Sequence, residues 1–187
     1  GAPLEVLVVR KVGHPANREF GLGAIAEGDV EIFDHPTLAR LGIHIATLDG
    51  VVTEERQELA RRVARYRPGR GPLDLHGRTA VVVDDGLATG STAQAAIEAV
   101  RRAGAERVVL AVPVGSPEAI AALRGRPDEI VCLETPTAFR AVGVWYGSFP
   151  QVSDEEVLAI LDASNRAAVG FDPAPDDGAH EAEVPGR

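Results

Sequence analysis

The segment from Val81 to Thr92 combines residue types that can hold a phosphate. Gly86 and Gly90 permit close backbone approaches, so that successive amides between Ala88 and Thr92 can converge on one anion. A helix predicted to begin near the end of the segment would add unpaired amide donors and the positive end of its dipole. Hydroxyl groups that can donate to the remaining phosphate oxygens come from Thr89, Ser91 and Thr92. The pattern predicts a monophosphate site.

Two carboxylates, Asp84 and Asp85, precede this loop. Carboxylates are poor neighbours for a phosphate but good acceptors for a vicinal diol, and charge-assisted hydrogen bonds are stronger than neutral ones. The predicted ligand therefore has a phosphate at one end and sugar hydroxyls a few ångströms away. The alternative is that the acids only end a strand and a hydroxyl only caps a helix. Having two acids, two glycines and three hydroxyls in one short segment favours the binding site.

Alternating strands and helices on either side of this loop predict an α/β fold. The predicted elements are a buried interior strand at Leu4–Val12, a buried strand at Thr79–Val83, a helix at Ser91–Ala103, a strand at Arg107–Val114, a helix at Ser116–Leu123 and a strand at Glu129–Leu133. Such alternation implies right-handed crossovers and a mostly parallel sheet with helices on both faces. Ligands of these sheets bind at the carboxyl ends of the strands.

The remaining segments give weaker signals. Residues 13–50 are rich in glycine, proline and histidine and predict an irregular, mobile excursion with short strands at Ala24–Ala26 and Glu31–Phe33. Thr53 is predicted to cap a helix that reaches Tyr66. Ser153 and Glu156 form a capping box for a last helix that extends to about Ala168. We expect one domain over residues 1–170, followed by a disordered, acidic and proline-rich tail at 171–187.

Composition narrows the classes of partner. The 187 residues are 45% apolar and 25% charged, as in a globular protein, and the net charge of −9 includes no block of basic residues. Binding to nucleic acid or to an anionic membrane is therefore not expected. The chain has no apolar run of about 20 residues, and we expect a cytoplasmic protein. The five histidines lack the spacing of a metal cage built from protein ligands.

The sequence VVVDDGLATGST resembles the motif that binds phosphoribosyl pyrophosphate (PRPP) in type I phosphoribosyltransferases. The resemblance implies that the acidic pair holds the ribose hydroxyls and that the loop holds the 5-phosphate. It also implies that Arg10 and Lys11 face the pyrophosphate, although a basic pair at a strand end is often only solvated. The implied PRPP-binding residues are Arg10, Lys11, Asp84, Asp85, Gly86, Leu87, Ala88, Thr89, Gly90, Ser91 and Thr92, and Asp84, Asp85 and Lys11 are the implied catalytic residues.

The same resemblance implies a type I phosphoribosyltransferase-like fold with a small flap and hood. The implied reaction moves the phosphoribosyl group of PRPP to a nitrogen acceptor, such as a nucleobase, and releases pyrophosphate. Mg²⁺ would be bound mainly through PRPP and water. Related enzymes are often homodimers and place a hood over the acceptor base. The matching aromatic residues can stack on an acceptor or serve only packing: Phe139, Trp145, Tyr146 and Phe149.

The chain departs from the family pattern at its start. The resemblance calls for an earlier strand and an arginine-glycine-glycine type loop that cradles pyrophosphate, and no segment here matches them. We expect an N-terminally incomplete domain with an exposed sheet flank, which another chain could fill. Two other functions therefore stay open, a non-catalytic regulatory module that binds PRPP or a nucleotide, and a phosphosugar hydrolase. The sequence does not identify the acceptor.

Overall fold

The computed structural model describes residues 2–169, so the predicted disordered tail at 171–187 lies outside the described residues. The chain divides into two compact units. One unit is Val6–Gln151. The other joins Gly1–Glu5 to Val152–Arg187, of which residues 2–5 and 152–169 are described. Among the described residues, no helix is both long enough and apolar enough to cross a membrane.

Strands and helices are numbered in chain order. They are β1 (Val9–His14), β2 (Asn17–Ala26), β3 (Val30–Phe33), α1 (His35–Leu41), α2 (Asp49–Tyr66), β4 (Thr79–Val83), α3 (Ser91–Arg102), β5 (Arg107–Val114), α4 (Pro117–Leu123), β6 (Glu129–Glu134) and α5 (Asp154–Val169). Two 3₁₀ turns lie at Ile45–Leu48 and Val142–Trp145. The strands predicted for β4, β5 and β6, and the helices predicted for α3 and α4, are confirmed to within about one residue.

A parallel sheet in the order β4-β5-β6 confirms the predicted α/β class. Val81 pairs with Val109, and Ala111 pairs with Val131, in an unbroken register. Alternate residues of β5 point into a buried cluster with α3 and α4, since strand side chains alternate between faces. This cluster includes Leu110 and Leu123, both almost fully buried. The packing fixes the carboxyl end of β4 against the start of α3.

The prediction that β4 is buried on both faces is wrong. Val81 is 59% exposed and Val83 is 74% exposed, and Leu133 on β6 is also 74% exposed. Within the described residues β4 pairs on one side only, with β5. Its continuous run of valines therefore resembles a central strand of a parallel sheet, although it lies at the sheet edge with one exposed face.

The prediction of an interior parallel strand at Leu4–Val12 is also wrong. Strand β1 begins at Val9 and pairs antiparallel with β2, which in turn pairs antiparallel with β3. The predicted irregular excursion after Val12 is thus largely ordered. The short strands predicted at Ala24–Ala26 and Glu31–Phe33 are confirmed as parts of β2 and β3, and α1 follows them. Gly13 and Gly23 interrupt the apolar pattern because the neighbouring strand lies too close for a side chain. A Cβ atom on Gly23 would stand 2.2 Å from the carbonyl oxygen of Ile32.

Helix α2 covers the antiparallel sheet and begins earlier than predicted. Its first residue is Asp49, and the hydroxyl of Thr53 donates to the Asp49 carbonyl inside the helix, so Thr53 is not the cap. The helix packs through Val51 on a cluster that contains Val12, Leu22 and Ile25. Ion pairs join the same helix to the strands, including Arg18 to Glu54 at 2.7 Å.

Helix α3 lies between the two sheets. Ala95 and Ala99 pack against Ala24, Ala26 and Val30 of the antiparallel sheet, while Ile97 and Val100 pack in the cluster of the parallel sheet. Small residues on the first face let the helix approach that sheet closely. In the second unit, the predicted capping box is confirmed, because the Ser153 amide donates to Glu156 at 2.8 Å and the Glu156 amide donates to the Ser153 hydroxyl at 3.2 Å.

Candidate site for a phosphate and a diol

The loop between β4 and α3 is anchored through Leu87. Its side chain is 1% exposed and belongs to the core of the parallel sheet. Its amide donates to the Val114 carbonyl at 3.0 Å, and its carbonyl accepts from the Ser116 amide at 2.8 Å. The apolar residue in the middle of a polar motif therefore holds the loop to the end of β5. The residues on either side of it are left at the carboxyl edge of the sheet.

Ser116 supports the loop from the next strand-helix junction and was not identified from the sequence. This residue is 5% exposed, and its hydroxyl donates to the Ala88 carbonyl at 2.8 Å while it accepts from the Ala119 amide at 3.0 Å. One side chain thus caps α4 and satisfies a carbonyl of the loop. The sequence signal, a serine before Pro117, predicts only the cap.

The amides that follow Leu87 lie at the start of α3. Gly90 adopts a left-handed conformation with φ of 81° and caps α3 with its backbone alone. In the described part of the chain, no protein acceptor is bonded to the amides of residues 88–92. The Thr89 and Ser91 hydroxyls lie 3.4 Å apart beside them. Amide and hydroxyl donors at the N-terminus of a twelve-residue helix form a site suited to an anion.

Asp84 and Asp85 lie directly before this cradle. Asp84 is half-buried and its carboxylate accepts from the Asp85 amide at 3.0 Å. Burial raises the pKa of Asp84 above its usual value, and the neighbouring Asp85 charge adds to that rise. Burial also raises the pKa of Asp85. Asp84 is thus a partly desolvated acceptor beside the exposed Asp85, and donors on a bound molecule would stabilise the charged forms of both carboxylates.

A third segment, residues 142–149, closes against the acidic pair. The Tyr146 hydroxyl donates to the Asp85 carbonyl at 2.6 Å. Val142 packs where a side chain on Gly86 would otherwise stand, since a Cβ atom there would lie 2.8 Å from the valine methyl. The ring of Tyr146 rests on Phe149, with centroids 5.0 Å apart. The sequence identified these aromatic residues but not which of them contacts the site.

Arg10 and Lys11 lie on β1 and engage other groups. The Arg10 guanidinium pairs with the Glu55 carboxylate of α2 at 2.7 Å, and that glutamate side chain is 17% exposed. The Lys11 ammonium donates to the Glu19 carbonyl on β2. The structure thus gathers residues 84–92 into one site and gives the basic pair partners on β2 and α2. Their predicted contact with pyrophosphate stays a prediction.

Similarity to known proteins extends over most of the chain. Residues 2–146 match the family described as "Phosphoribosyl transferase domain". A Mycobacterium tuberculosis (strain H37Rv) protein named "Putative phosphoribosyl transferase" is 45% identical over 98% of this chain, which spans 42% of that relative's length. A uracil phosphoribosyltransferase from Rhodococcus opacus (strain B4) is 32% identical over 59% of this chain and 56% of its own.

A solved structure is similar over a larger share of its own length. The crystal structure of a Thermus thermophilus protein superposes with a TM-score of 0.65 at 43% identity, covering 85% of this chain and 75% of that one. The family match includes β1 to β6 and the loop of residues 84–92. It thus contains every residue assigned above to the candidate site except Phe149.

Proposed function

Since the chain belongs to the phosphoribosyl transferase domain family, we propose that it binds PRPP and transfers the phosphoribosyl group to a nitrogen nucleophile. The observation that carries the proposal is the row of amides at residues 88–92, which have no acceptor among the described residues and directly follow Asp84 and Asp85. The 5-phosphate would bind the amides, and the ribose diol would bind the carboxylates. A phosphorylated pentose carries both of these parts.

The phosphate would be held mainly by dipoles. Residues 84–92 contain no lysine or arginine, so the loop itself offers backbone amides, the hydroxyls of Thr89, Ser91 and Thr92, and the positive end of α3. Each amide–phosphate hydrogen bond is charge-assisted and therefore stronger than a neutral one. Gly90 is essential to this arrangement because its left-handed conformation is one that other residues rarely adopt.

The ribose diol would offset the desolvation of the half-buried Asp84 carboxylate. Two ribose hydroxyls would donate to Asp84 and Asp85, and at the half-buried Asp84 they would replace water that burial has removed. Such bonds would fix the orientation of the sugar in the site. Positive charge develops on the ribose as the bond to pyrophosphate breaks, and two nearby carboxylates stabilise that charge.

The transfer itself needs few chemical groups from the protein. The nitrogen lone pair of the acceptor forms a bond to the anomeric carbon, the carbon–oxygen bond to pyrophosphate breaks, and the acceptor nitrogen releases its proton to solvent. Residues of the chain position the two reactants. In this proposal Lys11 and Arg10 leave their present partners and bind the departing pyrophosphate.

The side chains of this site would fit a divalent cation only if the bound PRPP supplied most of the oxygen ligands. Among the described residues no group of three histidine, cysteine or acidic side chains is placed to hold a metal ion. Mg²⁺ keeps several waters and binds readily to phosphate oxygens, so it would arrive with PRPP and neutralise the pyrophosphate. The chain would contribute to it at most through Asp84 or Asp85.

The identity of the acceptor is proposed by similarity alone. A relative named uracil phosphoribosyltransferase favours a nucleobase over other nitrogen nucleophiles. The aromatic segment around Trp145, which is 46% exposed, offers a surface on which a flat base could stack. We extend the proposal to a nucleobase acceptor on these two grounds.

A second function, a regulatory module that binds PRPP without turning it over, is favoured by one observation. Arg10 and Lys11, the residues proposed for the pyrophosphate, are both bonded to protein groups. If those bonds persist with ligand bound, the site would hold ribose 5-phosphate well and would stabilise the leaving group poorly. Release of pyrophosphate in the presence of a panel of nucleobases separates the two functions.

The proposed ligand can be tested by calorimetric titration of PRPP with Mg²⁺. Replacing Asp84→Asn or Thr89→Val removes one charge-assisted contact each, and we expect binding to weaken by about 1.5 to 3 kcal/mol. Asp162→Asn, an exposed residue of α5, serves as the matched control and should bind as the unmodified chain does. Failure of the unmodified chain to bind PRPP or ribose 5-phosphate would refute the proposal.

A further inference from the structure

Both peptide groups of Asp85 are fixed by side chains. On one side, its amide donates to the Asp84 carboxylate at 3.0 Å. On the other, its carbonyl accepts from the Tyr146 hydroxyl at 2.6 Å. A residue bonded at both its amide and its carbonyl cannot rotate either peptide without losing a hydrogen bond. The direction in which the Asp85 side chain leaves the backbone is therefore set from two sides.

The Tyr146 side chain is itself well supported. Its ring packs on Phe149 with centroids 5.0 Å apart and an interplanar angle of 41°. Phe149 packs in turn on Gly143, where a Cβ atom would lie 2.9 Å from the phenyl ring. Val142, at the other end of the 3₁₀ turn, packs on Gly86. The turn and the acidic end of β4 thus touch at two points, one polar and one apolar.

The hydroxyl of Tyr146 keeps its donor role at neutral pH. Burial raises the pKa of this phenol, and the carboxylates of Asp85 and Asp84 raise it further. Loss of the proton would also place a phenolate beside a carbonyl oxygen and two carboxylates. The proton therefore stays on Tyr146 at neutral pH.

From these contacts we infer that Tyr146 is a positioning residue, which aims the Asp85 carboxylate at the sugar hydroxyls and thereby favours a phosphorylated pentose over phosphate alone. The inference rests on the proposed function, because it concerns the same ligand. Tyr146 touches the backbone of Asp85 and acts through that residue. It would contribute little to holding the phosphate, whose donors are the amides of residues 88–92.

The test measures two affinities in each of three chains by NMR titration with ribose 5-phosphate and with inorganic phosphate. The chains are the unmodified protein, Tyr146→Phe, which keeps the ring and removes the hydroxyl, and Val144→Ala. Val144 lies in the same 3₁₀ turn and is 70% exposed, so it controls for a change in that turn alone.

We expect Tyr146→Phe to weaken ribose 5-phosphate binding about 3- to 10-fold, the usual effect of one neutral hydrogen bond. Inorganic phosphate should bind that variant as it binds the unmodified chain, and Val144→Ala should change neither affinity. Equal losses for both ligands would mean general loosening of the loop and would overturn the inference. So would an unchanged affinity for ribose 5-phosphate in Tyr146→Phe. Absence of binding to the unmodified chain would instead refute the proposed function, and the inference with it.

Discussion

Asp84 is expected to lower the stability of the free protein at neutral pH while it contributes to ligand binding. Its carboxylate is half-buried, its pKa is raised by that burial, and it accepts a hydrogen bond from the adjacent Asp85 amide. A group whose pKa is raised by folding stabilises the native state most when it is protonated. Its contribution is fully present below its unfolded pKa of 3.8 and is lost as pH rises through the higher pKa of the folded protein.

Replacing Asp84→Asn should therefore stabilise the free protein at pH 7 while weakening its binding of the ligand. The amide side chain cannot ionise, so the cost of burying a charge disappears. The gain in melting temperature should shrink as pH falls toward 3.8, because the aspartate of the unmodified chain then also becomes neutral. Thermal unfolding at several pH values measures this effect, with the exposed Asp162→Asn as control. A variant less stable than the unmodified chain at pH 7 would contradict the account of Asp84.

Gly90 can be compared with Gly125, which has a similar left-handed conformation away from the loop. Their φ angles are 81° and 75°, and an added Cβ at Gly125 meets nothing within 4 Å. Alanine at either position should cost about 1 to 2 kcal/mol of unfolding free energy through backbone strain. At Gly90 the Cβ also lies 3.2 Å from Leu123. We expect Gly90→Ala to abolish ribose 5-phosphate binding and Gly125→Ala to leave it unchanged, as measured by calorimetry. Equal binding by the two variants would exclude a role for the Gly90 backbone conformation.

At the scale of elements, local sequence signals predict helices and their caps but not how strands pair. The helix of residues 91–102 and the capping box at Ser153 follow from hydrogen bonds within a few residues, and both were predicted. The pairing of β1 was not. An apolar run indicates burial but not which strand will lie beside it, and here Val12 is fully buried within an antiparallel sheet. Pairing depends on distant segments, which a local pattern does not encode.

The candidate site likewise combines contiguous residues that the sequence predicts with distant residues that it does not. The acids, glycines and hydroxyls of residues 84–92 were identified because they are contiguous in the sequence. Ser116 and Tyr146 were not assigned to the loop because they contact it through the main chain, at Ala88 and Asp85. Every residue has a backbone carbonyl, so a hydrogen bond to that carbonyl leaves no signal in the residue type of the acceptor. Such partners become visible only in three dimensions.

A buried ion pair connects several elements and supplies a further prediction. Arg67 follows α2, and its guanidinium, 5% exposed, binds Glu27 after β2 at 2.6 Å and the Val6 carbonyl at 3.2 Å. Glu27 also accepts from the Val8 amide at 2.8 Å. Replacing Arg67→Met leaves that carboxylate buried without its cation, and we expect a loss of about 3 to 5 kcal/mol in unfolding free energy.

Urea denaturation measures that loss against a matched control. Arg107 pairs with Glu129 at 2.6 Å, but the two side chains are 55% and 49% exposed. Arg107→Met should cost no more than about 1 kcal/mol, because solvent screens the pair. Equal costs for the two variants would show that burial does not determine the strength of these ion pairs.

For the molecule as a whole, the net charge of −9 opposes an anionic ligand. The phosphate loop counters this repulsion with dipoles rather than cations, since residues 84–92 contain no basic side chain. Added salt screens the long-range repulsion but has little effect on hydrogen bonds at short range. Ribose 5-phosphate and PRPP should therefore respond differently to ionic strength if the basic pair of β1 binds pyrophosphate.

We expect the affinity for ribose 5-phosphate to change by less than about 2-fold between about 0.1 M and 0.3 M salt, where the Debye length falls below about 10 Å. The affinity for PRPP with Mg²⁺ should fall more steeply, because Arg10 and Lys11 would then contribute cationic contacts that salt weakens. Arg10→Gln should flatten that dependence, whereas Arg18→Gln, on the adjoining strand and paired with Glu54, should leave it unchanged. Calorimetry at the two salt concentrations makes the comparison. Identical salt dependence for PRPP in the unmodified chain and in Arg10→Gln would remove Arg10 from the proposed pyrophosphate site without affecting the phosphate loop.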